Sequence, residues 1–346
     1  MLVIKGQGNL GKYREVVGES QGDGAFMDLQ SESKIHVGIS SCLVGEKVRW
    51  NGEHKKDVYI DEVLSQFFEW VHVCPEMELG MGVPREAVHL TGSIEFPRMV
   101  GKQTKTDWTD RMLSFSRSRS KELCSLNLCG FIFKNSSPSC GMKGIKIVSD
   151  KDRPRAFGRG LFANEFIKHN PILPMEEEGR LRDSRIRENF IVRVFSFQRL
   201  QLLMNSGFSR GRLVDFHTHH RLLLQAHSRK QYAALDRLVA QAKQLSPTQL
   251  RRQYSALFMQ ALSIRTTVKK NADVLQHMLG HLKKLLGKED KLDLLQSIDD
   301  FHHGLVPLVV PLTLIKHYAH KFRVESLMDQ VYLNPHPKEL LIRNHV

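Results

Sequence analysis

Residues 35–42 read IHVGISSC, a short apolar run that ends on a cysteine. A run of this length, rich in β-branched residues and followed by polar turn formers, predicts a β-strand. Two more runs repeat the pattern: VHVC at 71–74 and GFIFK at 130–134, the latter followed by NSSPSCG. Between them DEVLSQFFEW (61–70) has helical spacing, and a polar, Arg-rich helix is predicted from about 107 to 126. GIKIV (144–148), a helix through LFANEFIKH and a last short run near Ile172 continue the rhythm. Alternation of strand and helix implies a mostly parallel sheet, because parallel neighbours need a crossover between them. Residues 35–200 are therefore expected to form an α/β domain.

Beyond RLRDSRIRENFIVRVFSFQRL the strand pattern stops. Helices are predicted at about 215–243, from Ser246 and Pro247 onward, and at about 269–286, 288–304 and 306–322. Ser before Pro is a favoured cap and first-turn pair. Gly287 and Gly304 fall where C-terminal caps belong, and in VPLVVPLTLIKHY the helix must bend or begin after Pro311. Residues 201–346 are thus expected to be an all-α domain. Residues 1–34, with QGDG and SESK, read as a mobile leader.

The whole chain has 346 residues, with 41% apolar and 25% charged residues, the composition of a globular protein. No apolar run approaches the roughly 20 residues needed to span a bilayer, and no secretory signal pattern opens the chain. A cytoplasmic location is expected. Five cysteines, 42, 74, 124, 129 and 140, are too few and too odd in number for a disulfide framework. The net charge is +14, and residues 201–346 hold 21 Lys and Arg against 11 Asp and Glu. Such a field concentrates polyanions, nucleic acid first and an anionic membrane surface second.

Cys42, Cys74 and Cys140 each lie at or beyond the carboxyl end of an expected strand. In open α/β sheets those loops converge on the crevice where ligands bind, so three cysteines far apart in sequence can meet. Three thiolates suit zinc or an iron-sulfur cluster. A structural zinc usually takes a fourth ligand and CxxC spacing, and neither is seen. A 4Fe-4S cluster on three cysteines leaves one iron open. Cys124 and Cys129 bracket a helix end and a strand entry, where packing is the simpler account. The surrounding loops add Glu46, Arg49, Asn51, Glu76, Glu78, Arg85, Ser136, Ser137 and Ser139, which are the acids, bases and donors of a hydrolytic site or simply solvated loop residues.

At SSCLVGEKVRWNGEHKKD, VCPEMELGMGVPR and FIFKNSSPSCGMKGIKIV the chain resembles the thiouracil desulfidase family, over roughly residues 35–190. Through FHTHHRLLLQAHSRKQYAALDRLVA, NADVLQHMLGHLKKLL, GLVPLVVPLTLIKHY and QVYLNPHPKEL it is similar to a helical YbgA-type domain, the arrangement of transfer RNA 4-thiouridine desulfidases. The resemblance implies a 4Fe-4S cluster on Cys42, Cys74 and Cys140 that takes the thiocarbonyl sulfur without net redox change. It implies Glu76 for proton transfer and Ser137 for positioning substrate or water. It also implies thiolated transfer RNA as partner and a thiolated pyrimidine as the reacting group. Two other readings remain open: a desulfidase of free thiouracil or thiolated nucleotides, and a non-catalytic RNA-binding protein with a structural metal site.

A basic helical domain suits an RNA backbone better than a free base. Candidate contacts are Arg111, Arg117, Arg119 and Lys121 in the first domain and Arg210, Arg212, Arg221, Arg229, Lys230, Arg251, Arg252, Lys269 and Lys270 in the second. A buried 4-thiouridine would have to be opened out of the RNA to react. His217, His220 and His227 share one helix face, and His277 and His281 have i, i+4 spacing. Without an HExxH pattern, contacts between packed helices or to RNA are expected of them.

Overall fold

The computed structural model describes residues 34–148, 154–340 and 342–344, so the expected leader lies outside them but for Lys34. The strands are β1 (Ile35–Ser40), β2 (Phe68–Val73), β3 (Val88–Gly92), β4 (Pro97–Gly101), β5 (Gly130–Phe133), β6 (Ile145–Val148), β7 (Pro154–Gly158) and β8 (Met175–Glu177). They form two sheets. The first has the order β2-β1-β5-β8 and is parallel throughout, with Ile35 opposite Phe68, Val37 opposite Gly130 and Phe131 opposite Met175. The second, β4-β3-β6-β7, is mixed: β3 runs parallel to β6, while the β3–β4 and β6–β7 pairs are antiparallel.

Helices α1 (Pro75–Glu78), α2 (Thr109–Ser125) and α3 (Leu161–His169) cross between strands, and α4 (Ser184–Asn205) follows β8. Val37, Ile39, Phe131, Ile132 and Phe133 are fully buried, which is the sign of a parallel sheet covered on both faces. On one face Phe162 and Phe166 of α3 meet the rings of Phe131 and Phe133, with Phe131 and Phe133 themselves stacked at 4.2 Å. On the other, Phe195 of α4 lies 5.9 Å from Phe68.

The remaining helices are α5 (Arg210–His227), α6 (Arg229–Ala240), α7 (Pro247–Ser263), α8 (Val268–Leu282), α9 (Lys288–His302), α10 (Val309–Lys321) and the short α11 (Glu325–Met328). Ser246 and Gln249 close a capping box on α7 with Pro247 in its first turn. α4 joins the two regions: Gln201 accepts from the Cys129 thiol at 3.1 Å, and Asn189 donates to the Leu262 carbonyl in α7 at 2.9 Å. Among the described residues no helix is long and apolar enough to cross a membrane.

Four expectations change. The helix expected over 61–70 shrinks to a turn at Tyr59–Val63 and another at Leu64–Gln66, and Phe68 already starts β2. Aromatic and β-branched residues favour a pleated strand, and pairing with β1 supplies the hydrogen bonds. The single helix expected over 215–243 is two, because the Ser228 side chain accepts the Gln231 N–H and caps α6. Gly287 starts α9 at φ −63 rather than ending α8, while Gly304 follows α9 at φ 75 as expected. α10 begins before Pro311, which sits in its first turn where no donor is needed.

Candidate functional site

The first sheet places its strand ends side by side. β1 runs into the one-turn helix Ser41–Val44, which carries Cys42 and ends at Gly45, whose φ of 94 an L side chain rarely adopts. Cys74 follows β2 directly as the N-cap of α1. The loop after β5 carries Ser137, Ser139 and Cys140, and it is held from behind by the first turn of α3, where the N–H groups of Leu161 and Ala163 donate to the carbonyls of Pro138 and Ser139. A Cβ on Gly160 would lie 2.5 Å from the Ser139 backbone and 2.9 Å from Cys140 N, so only glycine permits this approach.

One cavity of about 390 Å³ is lined by Cys42, Cys74 and Cys140 together with Glu76 and Ser137. Burial pushes the Cys42 and Cys74 thiols up to about 11, and each is raised further by a neighbouring negative group: Cys74 acts on Cys42, Glu76 on Cys74. Cys140 is raised most, by burial and then by Cys74 and Glu76, against hydrogen bonds from Ser40 and Ser139. Backbone N–H groups of Met77 and Glu76 favour the Cys74 thiolate. Thiols raised in this way stay protonated at neutral pH unless positive charge is placed among them.

Glu76 is held at both oxygens. Arg85 donates to Oε2 from Nε at 3.0 Å and from Nη2 at 2.5 Å, and the Ser139 hydroxyl donates to Oε1 at 2.7 Å. Arg85 is itself fixed by the carbonyls of Val48 and Gly82 at 3.0 and 2.8 Å. Ser139 lies 3.0 Å from the Ser137 hydroxyl, which also accepts the Cys140 N–H at 3.1 Å. A continuous chain thus runs Arg85, Glu76, Ser139, Ser137.

Of the other loop residues, Arg49, Arg85, Ser136 and Ser139 line the cavity, and Glu46, Asn51 and Glu78 do not. Glu46 pairs with His72 on the surface, Asn51 donates to Glu53, and Glu78 accepts from the Cys74 N–H and pairs with Arg119. Trp50, Lys55, Lys102 and Lys134 also line it and had no reading in the sequence. Lys134, ion-paired with Glu178, ends the apolar run GFIFK; a cation placed directly after a buried strand was the signal for it. Cys129 donates to Gln201 and is pushed up to about 12 by burial, and Cys124 is exposed and donates to Asn170; neither lines the cavity.

Several candidate RNA contacts are occupied within the fold. Arg119 bonds Glu78 and Glu122, Arg117 pairs with Glu165, Arg210 donates to the carbonyls of Ala242 and Leu245, and Arg212 to those of Ser206 and Gly207. The buried histidines make contacts between packed helices: His217 with the Tyr254 hydroxyl at 3.1 Å, His227 with the Ile264 carbonyl at 2.7 Å; His220 bonds Phe216 within α5.

The donor set fits an iron-sulfur cluster: three soft sulfur ligands on separate elements around open space, with hydroxyl and backbone donors against the sulfurs. Among the described residues no three His, Cys, Asp or Glu side chains could hold a single metal ion, and a cluster, being larger, takes ligands that stand further apart.

The class is that of α/β domains with three thiols around one strand-end cavity. The family model described as 2-thiouracil desulfurase matches residues 37–178, the strands and loops of that cavity. A second model, Protein of unknown function (DUF1722), matches residues 221–337 in the helical region. The Bacillus subtilis (strain 168) protein YbbK is 30% identical over 108 residues, 30% of this chain and 71% of that one. Escherichia coli (strain K12) YbgA is 28% identical over 161 residues, 46% of this chain and 95% of that one. A solved structure, the [4Fe-4S]-dependent thiouracil desulfidase TudS, is 22% identical with a TM-score of 0.35, covering 43% of this chain and 95% of that one. The chain belongs to the 2-thiouracil desulfurase family, joined to a helical YbgA-like region.

Proposed function

We propose that this chain removes the sulfur of 4-thiouridine in transfer RNA, leaving uridine, and that Cys42, Cys74 and Cys140 hold the 4Fe-4S cluster it uses. The observation that carries the reading is the convergence of these three cysteines on one cavity. When bound, a cluster held by three thiolates offers one open iron as a Lewis acid for the thiocarbonyl sulfur, with no net redox change. In the overall reaction water supplies the oxygen that replaces sulfur, and sulfur leaves as sulfide.

The chain's own groups handle orientation and protons. Ser137, fixed by the Cys140 N–H, positions the substrate or the attacking water. Arg85 holds one oxygen of Glu76 and leaves the other to Ser139, so a proton arriving at Ser137 can pass through Ser139 to Glu76. Residues 35–200 serve as the desulfidase unit and 201–346 as the RNA-binding unit, in a cytoplasmic protein. Support for an RNA substrate comes from the charge of the helical region and from Arg49, Lys55 and Lys102 on the cavity wall.

The test is anaerobic incubation of the reconstituted protein with thiolated transfer RNA, followed by mass spectrometry of the nucleosides. Conversion of 4-thiouridine to uridine is expected. Turnover of free thiouracil or thiolated nucleotide with the RNA untouched would move the substrate to the small molecule. A colourless protein with stoichiometric zinc and no turnover would make it an RNA-binding protein with a structural metal.

A further inference from the structure

The second sheet offers a surface that the cavity chemistry does not use. Its inner side is core: Leu90, Met99 and Ile147 are fully buried and Ile145 nearly so. Its other side is open at the β6–β7 end, while Val100 on β4 is buried there. Lys146 and Phe157 are register partners across β6 and β7, both exposed, with Phe157 62% exposed. Residues directly opposite across two strands lie side by side on one face, so a cation and an aromatic ring stand together in solvent. At the turn between β3 and β4, Ile94 is 60% and Phe96 79% exposed.

Ile94, Pro97 and Phe157, from two different hairpins, line one open recess of about 360 Å³ together with Lys143 and Arg159. Lys143, Lys146 and Arg159 are exposed, and among the described residues none of the three is in an ion pair. A solvent-facing apolar patch on a monomer commonly marks an interaction site. An exposed ring with cations beside it narrows the partner: Phe157 has Lys143 and Arg159 in its recess and Lys146 across the strand pair, and a ring stacks on a base of any sequence while cations meet the flanking phosphates. Three exposed cations, none paired by a described carboxylate, match the repeated charge of a phosphate backbone.

The recess is also tied to the catalytic cavity. Lys143 and Gly144 lie on the loop that begins at Cys140, and Val88, at the start of β3, lines the cavity itself. We propose that the exposed side of the β6–β7 hairpin, with the neighbouring β3–β4 turn, binds unpaired nucleotides, with Phe157 and Phe96 stacking on bases and Lys143, Lys146 and Arg159 taking phosphates. This rests on the RNA-substrate reading above and deepens it: the face would grip the single-stranded part of the RNA from which the thiolated base is opened.

The probes are a fluorescein-labelled twelve-nucleotide oligouridine and an unmodified transfer RNA, titrated by fluorescence anisotropy against the full reconstituted chain. F96A/F157A should weaken oligouridine binding by at least about ten-fold and leave the salt dependence unchanged. K143A/K146A/R159A should weaken it as well and lower the slope of log K against log salt by about 2, from about 0.7 per phosphate lost. Turnover of free thiouracil and iron content should match the wild type in both variants. Unaltered binding of both probes by both variants would overturn the proposal, as would a shift of the F96A/F157A variant from dimer to monomer in sedimentation, since the rings would then be a contact between copies. Wild-type protein that binds oligouridine through these residues yet desulfurises nothing would sink the enzymatic reading and leave the surface standing. Unchanged melting by circular dichroism controls for folding.

Discussion

The three cysteines of the sheet cavity and the three buried histidines of α5, His217, His220 and His227, are both desolvated and differ in what they face. Desolvation drives both away from their charged forms, Cys42 and Cys74 up to about 11 and His227 down to about 4. The cysteines come from three separate strand ends, face a common space and are raised by their charged neighbours. The histidines come from one helix, and each makes its hydrogen bond to a carbonyl or hydroxyl of the packing around it. Burial by itself therefore marks no site; convergence on open space marks the candidate one.

The sharpest way to break that contrast is to remove the sulfurs one at a time. Cys42→Ala, Cys74→Ala and Cys140→Ala should each lose the cluster and lower turnover by at least about 100-fold, since even outer partners of a metal site are worth 10- to 100-fold. Cys124→Ala and Cys129→Ala should keep it. Iron and sulfide per chain after anaerobic reconstitution read the result, and cluster loss in either of the last two would show that the wrong three had been chosen.

Next in size is the wall of the cavity. Arg85 and Glu76 are 6% and 13% exposed, so Arg85→Ala leaves a carboxylate desolvated and unpaired. A loss of about 3–5 kcal/mol in urea unfolding is expected. A loss below about 1 kcal/mol would mean that the pair behaves as a surface one.

The histidines should be visible in acid. His227 and His336 titrate near 4 in the fold, chiefly through burial, against 6.5 when free, so the unfolded chain takes up the proton first. Their contribution is whole above about pH 6.5 and is lost as pH falls from there to about 4, by roughly 3 kcal/mol each. His227→Gln should flatten the fall in urea stability between pH 7 and pH 5; an unchanged slope would contradict the depressed value. The smallest effect is that of Tyr254→Phe, which removes the hydroxyl partner of His217 and should reduce stability by about 1 kcal/mol with no change in cluster content.

The strand ends were legible because an apolar run that stops on a cysteine places it whatever the rest of the chain does. β1, β5 and the helices α7 to α10 follow from periodicity, and Ser246 with Pro247 marked the start of α7 outright. The second sheet was not legible in the same way. β3, β4 and β7 are short strands rich in Gly, Pro and polar residues, and the two hairpins of this sheet meet only through the β3–β6 pair, whose partners lie far apart in the chain. The helix expected over 61–70 failed for a related reason: spacing favoured a helix, and pairing with β1 decided for a strand.

By itself the sequence determined the α/β-then-helical order, the three cysteines at strand ends and the basic excess of the second half, because each depends on residue types and local spacing. Only the tertiary structure decided that β2, β1 and β5 are neighbours, so that their cysteines share one cavity, that Ser139 and Arg85 complete a chain to Glu76, and that Phe157 stands exposed beside Lys143, Lys146 and Arg159. Those are relations between residues far apart in the chain, and strand order and helix packing, which set them, are fixed by how the whole core closes.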